Sequence, residues 1–423
     1  MKKTLVALAA LAATGAFAQS AATLNAPGMA TLPTASVGSS SFTIGGMIDA
    51  DYNVQTANTG VVTNNVGSNT ASRLRFVGVQ DLGGGTKANF WLEMQPSIAD
   101  GSTSTSVVNN KTATSVTSSV LFNRGAWAGL SGNWGEVRLG RQGTNAISTV
   151  TVLDAQQGGA FFGFSGGGFL FNGQGSTGQQ GSGWFLANPT RGGYGQASST
   201  TTGTYLPSSS AGGVGTSVDS TRYTRAIRYQ TPTIAGGLVV GVSTAYGNSA
   251  TASSGSGGGS QGIDAKYAAG PLIAGASYQK AQAEANDTGA DTGSLLTMAA
   301  NYNFGPVIVA GGYQTEKAAG SNVIFNSGKS LGLAAYVPVG AATPYIKLGT
   351  HSYDTLGTNT KIVNLGATYD LSKTTKLFAE YAKNNAPNNG QAASGTSIAA
   401  GTIAGATATA SPKLFSVGTQ INF

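Results

Sequence analysis

Residues 361–384 read KIVNLGATYDLSKTTKLFAEYAKN. In the first half, Val363, Leu365, Ala367, Tyr369 and Leu371 share one face of a strand, and Asn364, Thr368 and Asp370 share the other. That period of two marks a strand with one apolar and one polar side. Ser372-Lys373 makes a short turn, and a second strand follows over 374–384. The C-terminal stretch repeats the pattern: Phe415, Val417, Ile421 and Phe423 point one way, while Ser416, Gln420 and Asn422 point the other. In 86–96, Phe90, Leu92 and Met94 oppose Lys87, Asn89 and Glu93.

Working outward, the same reading predicts sixteen strands: 42–52, 72–80, 86–96, 120–130, 135–142, 221–231, 236–247, 260–269, 271–281, 293–304, 306–316, 329–338, 343–354, 361–371, 374–384 and 412–423. Tight turns fall at Asp81–Gly85, Ser131–Trp134, Pro232–Ala235, Gly270, Gly305, Gly340–Ala342 and Ser372–Lys373. Longer polar loops lie between them, near 53–71, 97–119, 143–220, 248–259, 282–292, 317–328, 355–360 and 385–411. Short and long connections alternate without a break, which puts every tight turn, and both termini, at one end. An even number of antiparallel strands in this rhythm is the pattern of a closed membrane barrel. A soluble β-sandwich or β-solenoid would also alternate, and the turn rhythm decides for the barrel. Tyr223, Tyr229, Tyr246, Tyr302, Tyr313 and Tyr369 sit near segment ends, where an aromatic girdle belongs.

Composition agrees. The 423 residues include 64 Gly, one His and no Cys, and only 9% are charged, against about 25% in a typical soluble domain. The absence of Cys excludes disulfide frameworks and Cys-based zinc sites. Lys2 and Lys3, the apolar run Thr4–Ala13 and the Ala16-Phe17-Ala18 site read as an export signal over residues 1–18. Past it, no apolar run of about 18 residues could form a spanning helix. Removing Lys2 and Lys3 from the 23 basic residues leaves 21 against 16 acidic, a net charge of +5. With no Lys/Arg-rich run, nothing points to nucleic acid. Residues 19–40, rich in Ala, Ser, Thr and Pro, read as a flexible N-terminal extension, and 41–423 as the barrel.

Four stretches carry a resemblance: SRLRFVGVQDLGGGTKANFWLE (72–93), LFNRGAWAGLSGNWGEVRLGRQ (121–142), TRYTRAIRYQTP (221–232) and LFSVGTQINF (414–423). Together, in this order, they resemble the general porins of Gram-negative outer membranes, especially those of beta-proteobacteria. The resemblance implies a 16-stranded antiparallel transmembrane β-barrel, assembled as a homotrimer, with a long third external loop folded into the lumen. It also implies a place in the outer membrane among lipid and lipopolysaccharide, and a terminal Phe423 that resembles the signal read by the outer-membrane assembly machinery. The sequence departs from the family where a basic residue often stands at Val77 and an acidic one at Gln80. It departs again in the N-terminal extension and in the length of segment 143–220.

With the apolar face outward, Arg73, Arg75, Lys87, Arg124, Arg138, Arg222 and Arg228 point inward, as do Asp49, Asp51, Glu93 and Glu136. Arg73, Arg124 and Arg222 fall on family motif positions and resemble the arginine ladder of a pore constriction. Arg73, Arg75, Arg124, Arg138, Arg222 and Asp154 are the candidate constriction residues. Asp154 is the only acidic residue of 143–218, where Arg191 adds positive charge, so an anion preference is expected. Phe161, Phe162, Phe164, Phe169 and Phe171 in 158–175 read as an internal loop packed against the wall to narrow the pore, or else as an external loop that covers the trimer centre. Arg141 and Arg225 fall outward near the rim, facing lipopolysaccharide phosphates or a neighbouring subunit.

Other chemistry finds little support. The G-x-S-x-G matches at 163–167 and 258–262 lack the strand–turn–helix setting of a nucleophile elbow. His351 would have to serve either serine. Asp287 and Asp291 read as a solvated loop tip, no metal site is expected and no cofactor is implied. The reading is a water-filled pore for passive diffusion of small hydrophilic solutes, with anions preferred. A substrate-specific anion or organic-acid channel is the alternative, ahead of a barrel enzyme or an adhesin.

Overall fold

The structure, a computed structural model, describes residues 34–56, 62–69, 72–101, 121–154, 222–246, 260–282, 292–317, 328–353, 359–384 and 413–423. Its strands are β1 (Thr34–Val37), β2 (Ser40–Thr56), β3 (Val62–Gly67), β4 (Arg73–Gly83), β5 (Thr86–Met94) and β6 (Gly125–Gly132). Next come β7 (Gly135–Gly143), β8 (Arg222–Gln230), β9 (Leu238–Ala245), β10 (Ser260–Ala269), β11 (Leu272–Gln282) and β12 (Thr292–Asn303). The last six are β13 (Ile308–Lys317), β14 (Gly328–Tyr336), β15 (Ala342–Tyr353), β16 (Asn359–Asp370), β17 (Thr375–Asn384) and β18 (Lys413–Asn422).

Sixteen of these, β2 and β4–β18, are the barrel staves. Each pairs antiparallel with its sequence neighbour, and β18 closes the ring on β2 through pairs such as Phe415↔Val54 and Ile421↔Ile48. Closure leaves no unpaired edge in the wall, which is what a lipid environment demands of a sheet. All sixteen segments predicted above are present. Two short strands are additional. β3 pairs with the far end of β2 above the stave, and β1, within the 19–40 segment, pairs with the start of β2.

The barrel is inside-out relative to a soluble protein. Val363, Leu365, Tyr369, Phe415 and Val417 are exposed on the outer wall, whereas Asn364, Ser416 and Gln420 on the alternate positions are buried. Tyr246, Tyr302 and Tyr369 stand outward near strand ends. Tyr223 does not. It is fully buried and turned inward, because β8 carries a bulge: Gly140 pairs with Ala226 but Gln142 with Tyr223, so two residues of β8 oppose Arg141 alone. Arg225, at φ 52, is the kinked residue. One extra residue reverses strand parity beyond it.

After β7 the chain forms a short helix, α1 (Asn145–Val150), and a 3-10 turn, Thr151–Asp154. Thr144 caps α1, its hydroxyl accepting from the Ile147 amide. Both pieces lie against inward-facing residues of the staves. Ala146, Val150, Val152 and Leu153 pack with Leu295, Ile308 and Tyr336 into an apolar cluster on the inner face. Ala146 N donates to Gln279 Oε1 at 3.1 Å, and Asn301 Nδ2 donates to the Leu153 carbonyl at 2.8 Å. Close approach needs Gly262, where a Cβ would overlap the Asn145 side-chain oxygen. The remainder of this loop, residues 155–221 with Arg191 and the five phenylalanines, lies outside the described residues.

Candidate functional site: the charged inner wall

Strand parity brings polar side chains to the inner face, and register decides which of them meet. Arg75 on β4 and Glu93 on β5 are direct cross-strand partners, with Arg75 Nε 2.8 Å from Glu93 Oε2. Arg124, just before β6, donates from Nε to the other oxygen, Oε1, at 2.5 Å, and from Nη1 to Gln95 at 3.0 Å. Arg73 shares the face of Arg75 and lies within the fields of Arg75, Arg124, Arg222 and Glu93. Arg222, at the start of β8 and beyond the bulge, has the parity opposite to that of inward Tyr223, so its expected inward placement does not follow from the strand. Its Nε donates to the Arg124 carbonyl at 2.6 Å. Four guanidinium groups thus gather around one carboxylate, Glu93. Arg75 and Arg124 each bond one of its oxygens, and the group carries more cations than anions.

Beneath this group lies an aromatic shelf that strand-by-strand reading did not single out. Trp91 and Trp127 are cross-strand partners with near-parallel rings, 4° apart in tilt and 6.4 Å between centroids. Both rings are buried on the inner face. The Arg75 guanidinium lies 5.4 Å from the Trp91 centroid, and that of Arg138 4.5 Å from Trp127. Both distances fall within cation–π range, which ties each guanidinium to a ring of the wall.

Arg138 and Arg228 belong to a second, balanced group. Arg138 Nη2 meets Glu136 Oε2 at 2.5 Å, and Arg228 Nη1 meets Asp264 Oδ1 at 2.8 Å. Asp264 also accepts from Asn145 Nδ2 at 2.5 Å, which ties α1 to β10. Lys266 lies within the same field as Asp264 and Arg228. Arg138 is therefore a buried, paired wall residue rather than a neighbour of the Glu93 group.

Across β15–β18 and β2 the wall is acidic. Asp51 Oδ2 accepts from Ser416 at 2.6 Å, Asp49 Oδ1 from the Asn69 amide at 2.6 Å, and Glu380 from Asn69, Tyr345 and Asn364 at 2.7–3.1 Å. Neutral donors hold these carboxylates in place. Lys347, fully buried, stacks 4.5 Å over Tyr345. Lys87 keeps the inward parity but is exposed beside the turn at 84–85. Asp154 closes the 3-10 turn, and its side chain lies outside what is described, as does that of His351. Ser260, of the second G-x-S-x-G match, sits in β10 with its hydroxyl donating to the Lys280 carbonyl at 2.8 Å. Among the described residues no three His, Cys, Asp or Glu side chains gather to hold a metal.

The sequence reading omitted Asp264, Lys266, Lys347 and Glu380. All four occupy polar positions alternating with outward apolar residues, so the parity that located Glu93 also locates them. Trp91 has the parity of Asn89 and Glu93, so residue order places it inward too, and Trp127 is its cross-strand partner.

A family model described as Gram-negative porin matches residues 4–389. The chain belongs to the Gram-negative porin family. The family is one of outer-membrane channels rather than enzymes, and the porin described here crosses that membrane with sixteen strands. Outer membrane porin protein 32 of Delftia acidovorans is 32% identical over 170 residues, and the aligned part spans 39% of each chain. The match thus covers about two fifths of that relative's length. Among solved structures, the anion-selective porin from Comamonas acidovorans superposes with a TM-score of 0.64 at 24% identity, covering 91% of this chain and all of that one. The trimer form of OmpT from Vibrio cholerae gives 0.54 at 13% identity, with 91% and 100% covered. At these identities the likeness is one of fold.

Proposed function

We propose that this porin forms a water-filled channel that lets small hydrophilic solutes diffuse across the outer membrane and favours anions. The observation that carries the reading is the group of Arg73, Arg75, Arg124 and Arg222 around the single carboxylate of Glu93. Fixed guanidinium groups on the wall of a narrow aqueous passage lower the energy of an anion and raise that of a cation. The paired Arg138 and Arg228 contribute little field at a distance and serve the wall. Asp154, at the end of the 3-10 turn that follows α1 on the inner face, is the acidic counterpart in this reading. The Delftia and Comamonas relatives are both described as porins, the second as anion-selective, in accord with the charge balance here.

The working unit is a homotrimer embedded in lipid and lipopolysaccharide. Residues 1–18 direct export, residues 19–40 are an N-terminal extension of which Thr34–Val37 pairs with β2, and Phe423 is the mark recognised by the barrel-assembly machinery. Phe423 exchanges backbone hydrogen bonds with Gly46 at the closure seam, so the last residue also completes the ring. The test is swelling of liposomes that contain the purified protein. Faster swelling in small sugars than in protein-free vesicles, and faster entry of small carboxylates than of amines of equal size, is the expected result. Absence of swelling rules out an open channel.

A further inference from the structure

β3 and β4 run along one edge of β2 as a single interrupted stave. Asp51 pairs with Gly67 and Met47 with Arg73. Between those pairs β2 spends three residues, 48–50, and the facing chain five, 68–72. Extra residues on one side of an antiparallel pair make a bulge, which bends the strand and re-aims a side chain. Serine hydroxyls take over the hydrogen bonding there. Ser68 Oγ and Ser72 Oγ donate to the Asp49 carbonyl at 2.7 and 3.1 Å, and the Asp49 amide donates to Ser72 Oγ at 3.0 Å.

The bulge delivers Asn69 to the inner face, where it is buried. Its backbone amide donates to Asp49 Oδ1 at 2.6 Å, and its Nδ2 donates to Glu380 Oε1 at 2.7 Å. Glu380 stands on β17, so Asn69 reaches past β18 and across the seam where the barrel closes. The other oxygen of Glu380, Oε2, accepts from the Tyr345 hydroxyl at 2.9 Å and from Asn364 Nδ2 at 3.1 Å. All three donors are neutral, and among the described residues no ion pair involves Glu380. Glu93, Glu136 and Asp264 are each paired with an arginine instead.

The two arrangements differ in consequence. An arginine cancels the charge of a carboxylate, whereas a neutral donor leaves the charge and occupies the oxygen. In water the attraction between a cation and a carboxylate is largest at contact and is screened beyond it. Glu380 is 2% exposed, with both oxygens taken, so a permeating cation cannot touch it. We infer that Asn69 is a positioning residue for ion selectivity. By covering Glu380 it withholds a cation-binding step from the passage and preserves the preference set by the arginine group. This rests on the channel reading and assigns to the first external connection a part in that channel's selectivity.

Asn69→Ala removes the side-chain donor but keeps the backbone bond to Asp49 and the serine bonds, so the bulge stays seated. In planar bilayers under a KCl gradient it is expected to lower the anion-to-cation permeability ratio roughly fivefold, the Boltzmann factor of one contact pair in water. Asn69→Ser, too short to reach Glu380, is expected to act alike. Adding Glu380→Gln to Asn69→Ala is expected to return the ratio at least to the native value, which a mere loss of stability would not do. A ratio unchanged in the Asn69 variants, or not restored by Glu380→Gln, overturns the inference and leaves the channel reading standing. A second readout needs neither a variant nor a current. Carbodiimide coupling of a small amine to the native protein in detergent, read by peptide mass spectrometry, is expected to label exposed Asp370 and to spare Glu380. Equal labelling of the two overturns the inference. In Asn69→Ala, labelling of Glu380 is expected to appear. A native chain that conducts no current while Glu380 stays protected refutes the channel reading and leaves the cover over Glu380 standing.

Discussion

Arg124→Gln isolates one charge of the Glu93 group with little disturbance of the wall. Its side chain is the more exposed of the two that pair with Glu93, at 18% against 3% for Arg75. The Arg124 carbonyl that accepts from Arg222 is unaffected by the change. The substitution lowers the local excess from four cations over one anion to three over one. A unit charge about 5 Å from a passing ion in a water-like dielectric contributes about 1 kcal/mol, favourable for an anion and unfavourable for a cation. At 0.1 M salt, with a screening length of about 10 Å, roughly 0.6 kcal/mol survives for each ion. The difference between the two ions is then about 1.2 kcal/mol, which lowers the anion-to-cation permeability ratio roughly eightfold. At 1 M the screening length is about 3 Å and the same change is worth about twofold. The assay is the zero-current potential of variant and native channels in planar bilayers at both salt concentrations. A ratio unchanged at 0.1 M, or a change that does not shrink with salt, refutes the reasoning that Arg124 acts through its field on permeant ions.

Other perturbations separate lumen from wall. Arg138→Met leaves buried Glu136 without its cation and is expected to cost about 3–5 kcal/mol, seen as a lower denaturant midpoint for barrel unfolding. Adding Glu136→Gln should recover most of that loss, with the permeability ratio near the native value in both variants. Asp264→Ala removes the partner of Arg228 and the anchor of α1 together. It is expected to destabilise by a similar amount and to broaden the distribution of single-channel conductances as the loop start loosens. Leu365→Arg, mid-wall and facing lipid, should cost about 2–4 kcal/mol for folding into bilayers, while Val363→Arg, nearer the interface, should cost less. Urea titration of bilayer-folded protein reads both.

How much of this was legible beforehand follows from where a period of two holds. The staves around Leu365, Phe415 and Phe90 alternate cleanly, so their faces, and with them the inward placement of Arg75, Glu93 and Arg138, follow from residue order alone. Tyr223 defeated that rule because the bulge at Arg225 is a property of pairing between β7 and β8, invisible in either strand alone. Half of the partition of the arginines was hidden for a related reason. Register sets Arg75 opposite Glu93, which Arg124 also reaches. Arg138 instead pairs with Glu136, two residues away on its own strand and face, a pairing that residue order already offers. Trp91 was legible by its parity with Asn89 and Glu93; its pairing with Trp127 and the cations over the two rings were not. Helix α1, six residues in a Gly-rich segment, is defined by what it touches on the inner wall more than by its own propensity.

The most direct measurement is the zero-current potential of the native channel under a tenfold KCl gradient in a planar bilayer. Stepwise current with a potential of the sign set by chloride is the expected result for a wall with Arg73, Arg75, Arg124 and Arg222 grouped around Glu93. A potential of the sign set by potassium, or a membrane that stays sealed, contradicts it.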